Sequence, residues 1–216
     1  MSAQSDWAKL FRIAASMIRQ VNAEQKIIDY WTFGGGTAMM LQIDHRVSQD
    51  VDIFLADPQL LAFLDPSKHD FDFETRPTDY NGDGAKSLKL VFDFGEIDFI
   101  VASSLTSSPT TKSTIEGEDA LLETVPEIIT KKVFYRGDNI TPRDIFDIAA
   151  GGEKLRDEIV KELGNYRDKV AGTLKAIDKL RPEFVNKTIE QLSIKAPYVP
   201  LAKLALQKTK DVLHRV

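Results

Sequence analysis

The chain contains no cysteine. Disulfide staples, thiolate nucleophiles and cysteine-held zinc sites are therefore excluded. Histidine is scarce as well: His45, His69 and His214 are scattered and form no ligand cluster. No stretch approaches the roughly 18 uninterrupted apolar residues of a membrane span. The opening residues, MSAQSDWAKLFRIAASMIRQ, are amphipathic and lack the basic stub and apolar run of a signal peptide. The expectation is a cytoplasmic protein with no membrane partner.

What is present allows a sizeable core: 216 residues, of which 43% are apolar and 28% charged. Net charge is -5, unevenly divided, with -11 over residues 1–129 and +6 over 130–216. The acidic part suits cation binding and the basic part suits a phosphate-rich partner. An ordinary soluble surface with uneven charge would look the same.

Trp7, Leu10, Phe11, Ala14, Met17 and Ile18 recur at helical spacing and predict a helix over 6–28. The run 27–33 reads as a short buried strand, broken by Gly34, Gly35 and Gly36. A short helix over 37–43 follows, with Thr37 near its start. A turn at 45–48 leads to a strand over 49–55. A helix is expected at 58–66, an edge strand at 71–75 and turns over 79–86. Leu88, Leu90, Phe92 and Phe94 share one face of a strand over 87–94, and 96–102 returns beyond Gly95 as its hairpin partner. The Ser/Thr-rich stretch 103–114 reads as loop or irregular edge. From residue 119 the pattern turns helical, with a short helix, Pro126 and a second helix, then helices at 142–151, 153–180, 183–194 and 200–215. The fold class is α+β, a small mixed sheet followed by a helical region. The expected division is a core over 1–118 and a helical region over 119–216 that completes a cleft and offers an acceptor surface.

Asp50 and Asp52 lie two apart on an expected strand, so both carboxylates project from one face. Side by side they repel unless a cation lies between them, and Mg²⁺ or Mn²⁺ prefers oxygen ligands. Asp98 sits in the apolar strand EIDFIVA, with Glu96 on its face. If the two strands are neighbours, the three acids could bridge two cations. A solvated strand face is the plainer explanation for each acid alone. Gly34, Gly35 and Gly36 permit close backbone approach, and a helix starting near Thr37 would aim free N–H groups at phosphate oxygens. The spacing is neither a Walker A loop nor a dinucleotide-binding fingerprint. Arg46 reads as a phosphate contact or an exposed loop residue, Ser48 as a hydrogen-bonding group at the strand entrance. Lys89 points toward the cleft or into water. Phe92, Phe94 and Phe99 read as core.

Together these residues resemble the DNA polymerase beta type of nucleotidyltransferase, and more narrowly the AbiEii/AbiGii toxin family. The matching stretches are FGGGTAMML at 33–41, HRVSQDVDIFL at 45–55, SLKLVFDFGEIDFI at 87–100, ITKKVFYRG at 129–137 and TPRDIFDIAA at 141–150. The resemblance implies a polymerase-beta-like fold and metal-dependent transfer of a nucleoside monophosphate from an NTP. The acceptor would be RNA (tRNA included), a protein or a small molecule. It implies phosphate contact by Gly35, Gly36 and Thr37, with metal binding by Asp50 and Asp52. Asp98 would be the third acid, as proton acceptor or metal ligand. Basic support falls on Lys131 or Lys132 and on Arg143, with Asp144 beside it and Asp147 one turn on, where Arg143 and Asp147 could pair. A helix-bundle ion-pair network would explain the same charges. A cognate antitoxin is the further partner implied. Three alternatives stay open: a non-catalytic nucleotide-binding or regulatory module, a structural or antitoxin-binding protein whose acids only solubilise the surface, and a metal-dependent phosphohydrolase.

Overall fold

A computed structural model describes residues 6–216. It divides into two compact units. One takes the chain through Ala38, then Ser48–Ser104 and Thr110–Glu123; the other takes Met39–Val47, Leu105–Pro109 and Thr124–Val216.

The first unit holds α1 (Trp7–Val21), β1 (Thr32–Gly34), the opening of α2 (Gly35–Ile43), β2 (Val51–Leu55), α3 (Leu61–Leu64), β3 (Asp79–Gly82), β4 (Ser87–Phe92), β5 (Gly95–Val101), β6 (Thr110–Ile115) and β7 (Glu118–Glu123). Among the described residues, seven strands form one sheet in the order β3-β4-β5-β2-β1-β7-β6. The pairs β2/β5 and β1/β7 are parallel and the other neighbours antiparallel. Period-two alternation sends Val51, Ile53, Leu55, Leu88, Leu90, Phe92, Ile97 and Phe99 into the core. There α1 contributes Leu10, Phe11, Ala14, Met17 and Ile18, and the rings of Phe11 and Phe33 lie 4.9 Å apart. The alternate residues, Asp52, Lys89 and Asp98 among them, stand on the other face.

Several elements depart from the sequence expectation. Helix α1 stops at Val21 because Asn22 takes over the backbone: its Oδ1 accepts from the N–H of Ile27 and Ile28, at 2.9 and 2.8 Å. Residues 71–75 form no strand. Instead the Gln20 amide pairs with the backbone N–H and C=O of Asp72 at 2.8 and 3.1 Å, replacing a strand partner. The turn-rich segment supplies β3, which pairs with β4. The 103–114 loop and the expected helix after 119 are in fact a loop and the β6–β7 hairpin. Glu116 (φ 50) and Gly117 (φ 83) are both left-handed at its tip, as in the primed two-residue turns that match strand twist. Residues 118 and 119 both belong to β7, so the expected boundary there cuts through a strand.

The second unit packs α4 (Val125–Arg136), α5 (Pro142–Leu163), α6 (Arg167–Asp178), α7 (Pro182–Ile189), α8 (Val199–Ala202) and α9 (Ala205–Leu213). Thr124 and Thr141 cap α4 and α5, and Thr141 forms a reciprocal capping box with Asp144. Pro126, Pro142 and Pro182 occupy first turns, where a missing N–H costs nothing. Helix α5 continues through Gly151 and Gly152, which let α4 and α9 pack closely: a Cβ there would run into Ile129 of α4 and Val212 of α9. Its kink falls later, at Leu155 (φ -135, ψ 37). The hydroxyl-rich loop 105–109 is fixed by carboxylates: Glu127 accepts from the N–H of Leu105 and Thr106, and Glu162 from the N–H of Ser107. No described helix is long and apolar enough to cross a membrane.

Candidate active site

The register of the sheet sets one row of residues across five strands: Asn81, Lys89, Asp98, Asp52 and Gly34. Asp52 and Asp98 are direct partners in the parallel β2/β5 pair, so their backbones lie about 4.8 Å apart and both side chains leave the same face. Asp50 sits one residue ahead of β2, not within a strand over 49–55. Its Oδ1 accepts from the N–H of Glu96 at 3.2 Å, which holds it beside the start of β5. The Thr37 hydroxyl donates to the backbone carbonyl of Asp50 at 2.5 Å. That ties the first turn of α2 to the acidic strand, and leaves Thr37 its amide rather than its hydroxyl to offer a phosphate. Half-buried Ser48 lies on the approach to β2.

Helix α2 opens two residues earlier than expected, at Gly35. Gly35 has φ +69, and a Cβ there would overlap the Asp52 carboxylate. Gly34 is equally constrained, since its Cβ would meet Glu123 and the Phe54 ring. Only glycine lets this turn lie against the acids. Gly35→Ala is therefore expected to destabilise the fold by more than ~1 kcal/mol. Chemical denaturation checks this, and an unchanged variant would show the turn to be tolerant.

Burial pushes the Asp98 carboxyl up, repulsion from Glu96 and Asp50 adds to it, and the Lys89 ammonium only partly opposes the shift. Lys89 Nζ is 3.2 Å from Asp98 Oδ2 and also pairs with Glu96. Against burial, these two acids raise the Lys89 pKa above its ordinary value. Among the described residues, no three acids or histidines are drawn into a ready cation cage. The donor chemistry nonetheless fits Mg²⁺ or Mn²⁺: the acids offer only hard oxygen ligands, Asp52 and Asp98 share a register level, and Asp50 stands one residue ahead of β2.

The remaining candidates gather inside the helical unit. Asp147, fully buried on α5, accepts from Arg46 Nε and Nη2 at 2.7 and 2.9 Å. It also accepts from His45 Nε2 at 2.9 Å and pairs with Lys132 at 3.0 Å. Lys132 reaches Asp144 at 2.7 Å. Arg46 is thus a buried ion-pair partner, not an exposed loop residue, and the Arg143–Asp147 pair does not form. Arg143 is exposed, whereas Asp147 faces inward. Lys131 is buried and lies 3.6 Å from Glu127, one helical turn back. Glu123 went unnoticed in the sequence. It ends β7 buried, accepting from the Thr32 hydroxyl at 2.6 Å; the Glu-Gly pair at 116–117 was the available sign that its segment is a strand.

Several solved structures share the fold, among them the following two. MenT4, a nucleotidyltransferase toxin from Mycobacterium tuberculosis, is 14% identical with a TM-score of 0.55, and the match covers 99% of this chain and 86% of MenT4. JHP933 from Helicobacter pylori is 12% identical with a TM-score of 0.50, covering 99% and 92%. No curated protein sequence matches the chain. The family described as nucleotidyl transferase AbiEii toxin, type IV TA system, matches residues 19–197. With most of its length inside that match, the chain belongs to the AbiEii nucleotidyltransferase toxin family.

Proposed function

We propose that the chain transfers a nucleoside monophosphate from an NTP to an acceptor hydroxyl, with Mg²⁺ or Mn²⁺ as cofactor. The observation that carries the reading is the Asp52–Asp98 pair at one register level, with Gly35 packed against Asp52. The first-turn amides of α2, at Gly35, Gly36 and Thr37, have no intrahelical acceptor and suit the triphosphate. A divalent cation held by Asp50 and Asp52, with Asp98 beside them, would neutralise the triphosphate and acidify the attacking hydroxyl. Asp98, with its elevated pKa, accepts the proton. The acceptor oxygen bonds to the α-phosphorus as the α–β bridging bond breaks, and pyrophosphate leaves with the electron pair.

RNA is the favoured acceptor, because residues 130–216 carry a net +6. The family's toxin–antitoxin setting makes a cognate antitoxin the expected partner. Incubating the protein with each labelled NTP, Mg²⁺ or Mn²⁺, and total RNA or protein tests the proposal. Label is expected in RNA. Label in protein would change the acceptor, NTP hydrolysis without transfer would indicate a phosphohydrolase, and binding without pyrophosphate release would indicate a non-catalytic module.

A further inference from the structure

Lys89 stands in the row of acids for a simple local reason. Its neighbours Leu88 and Leu90 face the core, so period two sends Lys89 to the other face. Register then places it opposite Asp98, which in turn lies opposite Asp52. Its ammonium bridges Glu96 and Asp98. A cross-strand lysine between two acids is ordinary sheet chemistry. The location is not ordinary, because Asp98, one of these two acids, belongs to the donor set that fits a divalent cation. An ammonium and a dication on the same oxygens repel each other at contact distance. Lys89 is also movable: its side chain is 40% exposed, on a flexible four-carbon stem.

We propose that Lys89 is an exchangeable counter-ion that neutralises Glu96 and Asp98 before nucleotide arrives, releases Asp98 when the divalent cation binds, and then binds the triphosphate. This rests on the nucleotidyl-transfer reading above. Two consequences run in opposite directions. Removing the ammonium leaves more negative charge for a bare cation and less positive charge for a triphosphate. A merely structural lysine would not separate the two affinities.

The test is Mn²⁺ binding without nucleotide, followed by the paramagnetic signal of free Mn²⁺, on the wild type, Lys89→Met and Lys89→Arg. A second titration uses a non-hydrolysable nucleoside triphosphate analogue with Mn²⁺. Lys89→Met is expected to bind bare Mn²⁺ about tenfold more tightly and the analogue about tenfold more weakly. Lys89→Arg is expected to restore both toward wild type. Mn²⁺ affinity that is unchanged or reduced in Lys89→Met overturns the proposal, as does unchanged analogue binding. A wild type that binds no Mn²⁺ at all overturns the metal reading itself, and this inference with it.

Discussion

Asp52→Asn is expected to lower nucleotidyl transfer by about a thousandfold or more, which corresponds to ~4 kcal/mol of lost transition-state stabilisation. The substitution keeps the size of the side chain and removes its charge. Asp52 faces away from the apolar core, on the half-buried side of β2. Its effect falls where Gly35 and Asp98 meet it. Single-turnover incorporation of labelled nucleotide at saturating Mn²⁺ measures the loss, with thermal unfolding run alongside to show the fold intact. The double variant Asp50→Asn/Asp52→Asn removes two of the three acids and should leave nothing above background. Undiminished metal-dependent transfer by that double variant would rule the assignment out. A lower melting temperature with proportionate loss of activity would instead mean that the acids hold the strand in place.

The parts of this site that were legible in the sequence are those written in local patterns. Three consecutive glycines announce a close backbone approach, and Asp50-x-Asp52 announces two neighbouring acids, although only Asp52 lies within β2. The contact that gives them meaning is not local. Asp52 and Asp98 are joined by a parallel pairing whose partners lie 46 residues apart, with β4 inserted on the far side of β5. Nothing in either strand alone specifies it. The hairpin of β6 and β7 is hidden in the sequence for a different reason. Thr110–Ile115 looks like a linker because of its hydroxyls, and DALLE looks helical because Ala and Leu are good helix formers, yet pairing overrides both preferences. Helix α1 is shorter than its apolar spacing implies because a single side chain, Asn22, ends it by bonding backbone amides five and six residues ahead. The Arg46–Asp147 pair was out of reach altogether, its members being 101 residues apart. The i,i+4 rule offered Arg143 in its place. That rule finds neighbours on a helix surface and does not apply to Asp147, which points into the interior.

Asp147→Ala is expected to destabilise the protein by about 3–5 kcal/mol at neutral pH, because it leaves two buried cations without their shared counter-ion. Asp147 is fully buried and holds Arg46 through both carboxylate oxygens, together with His45 and Lys132. A carboxylate can only accept, so His45 carries its proton on Nε2. Burial opposes the charge on Asp147, but Lys132 and Arg46 outweigh it, and the hydrogen bonds from His45 and Arg46 help hold the carboxyl well below the usual carboxylate range. Lys132 responds in kind: burial would lower its pKa, and Asp147 and Asp144 raise it instead. The sign of the pH dependence follows. A depressed carboxyl contributes stability that is fully present above its unfolded pKa, near 3.8, and is lost as pH falls through the folded value. The gap between wild type and Asp147→Ala in urea denaturation should therefore stay constant from neutral pH to about pH 5, and narrow only at more acid pH. Adding Arg46→Met to Asp147→Ala should recover part of the loss, since it removes one of the stranded charges. A single-variant cost below ~1 kcal/mol, or a gap that closes already between pH 7 and pH 5, would mean that water reaches Arg46 and Lys132 and that the cluster is not the dry ion-pair network its geometry describes.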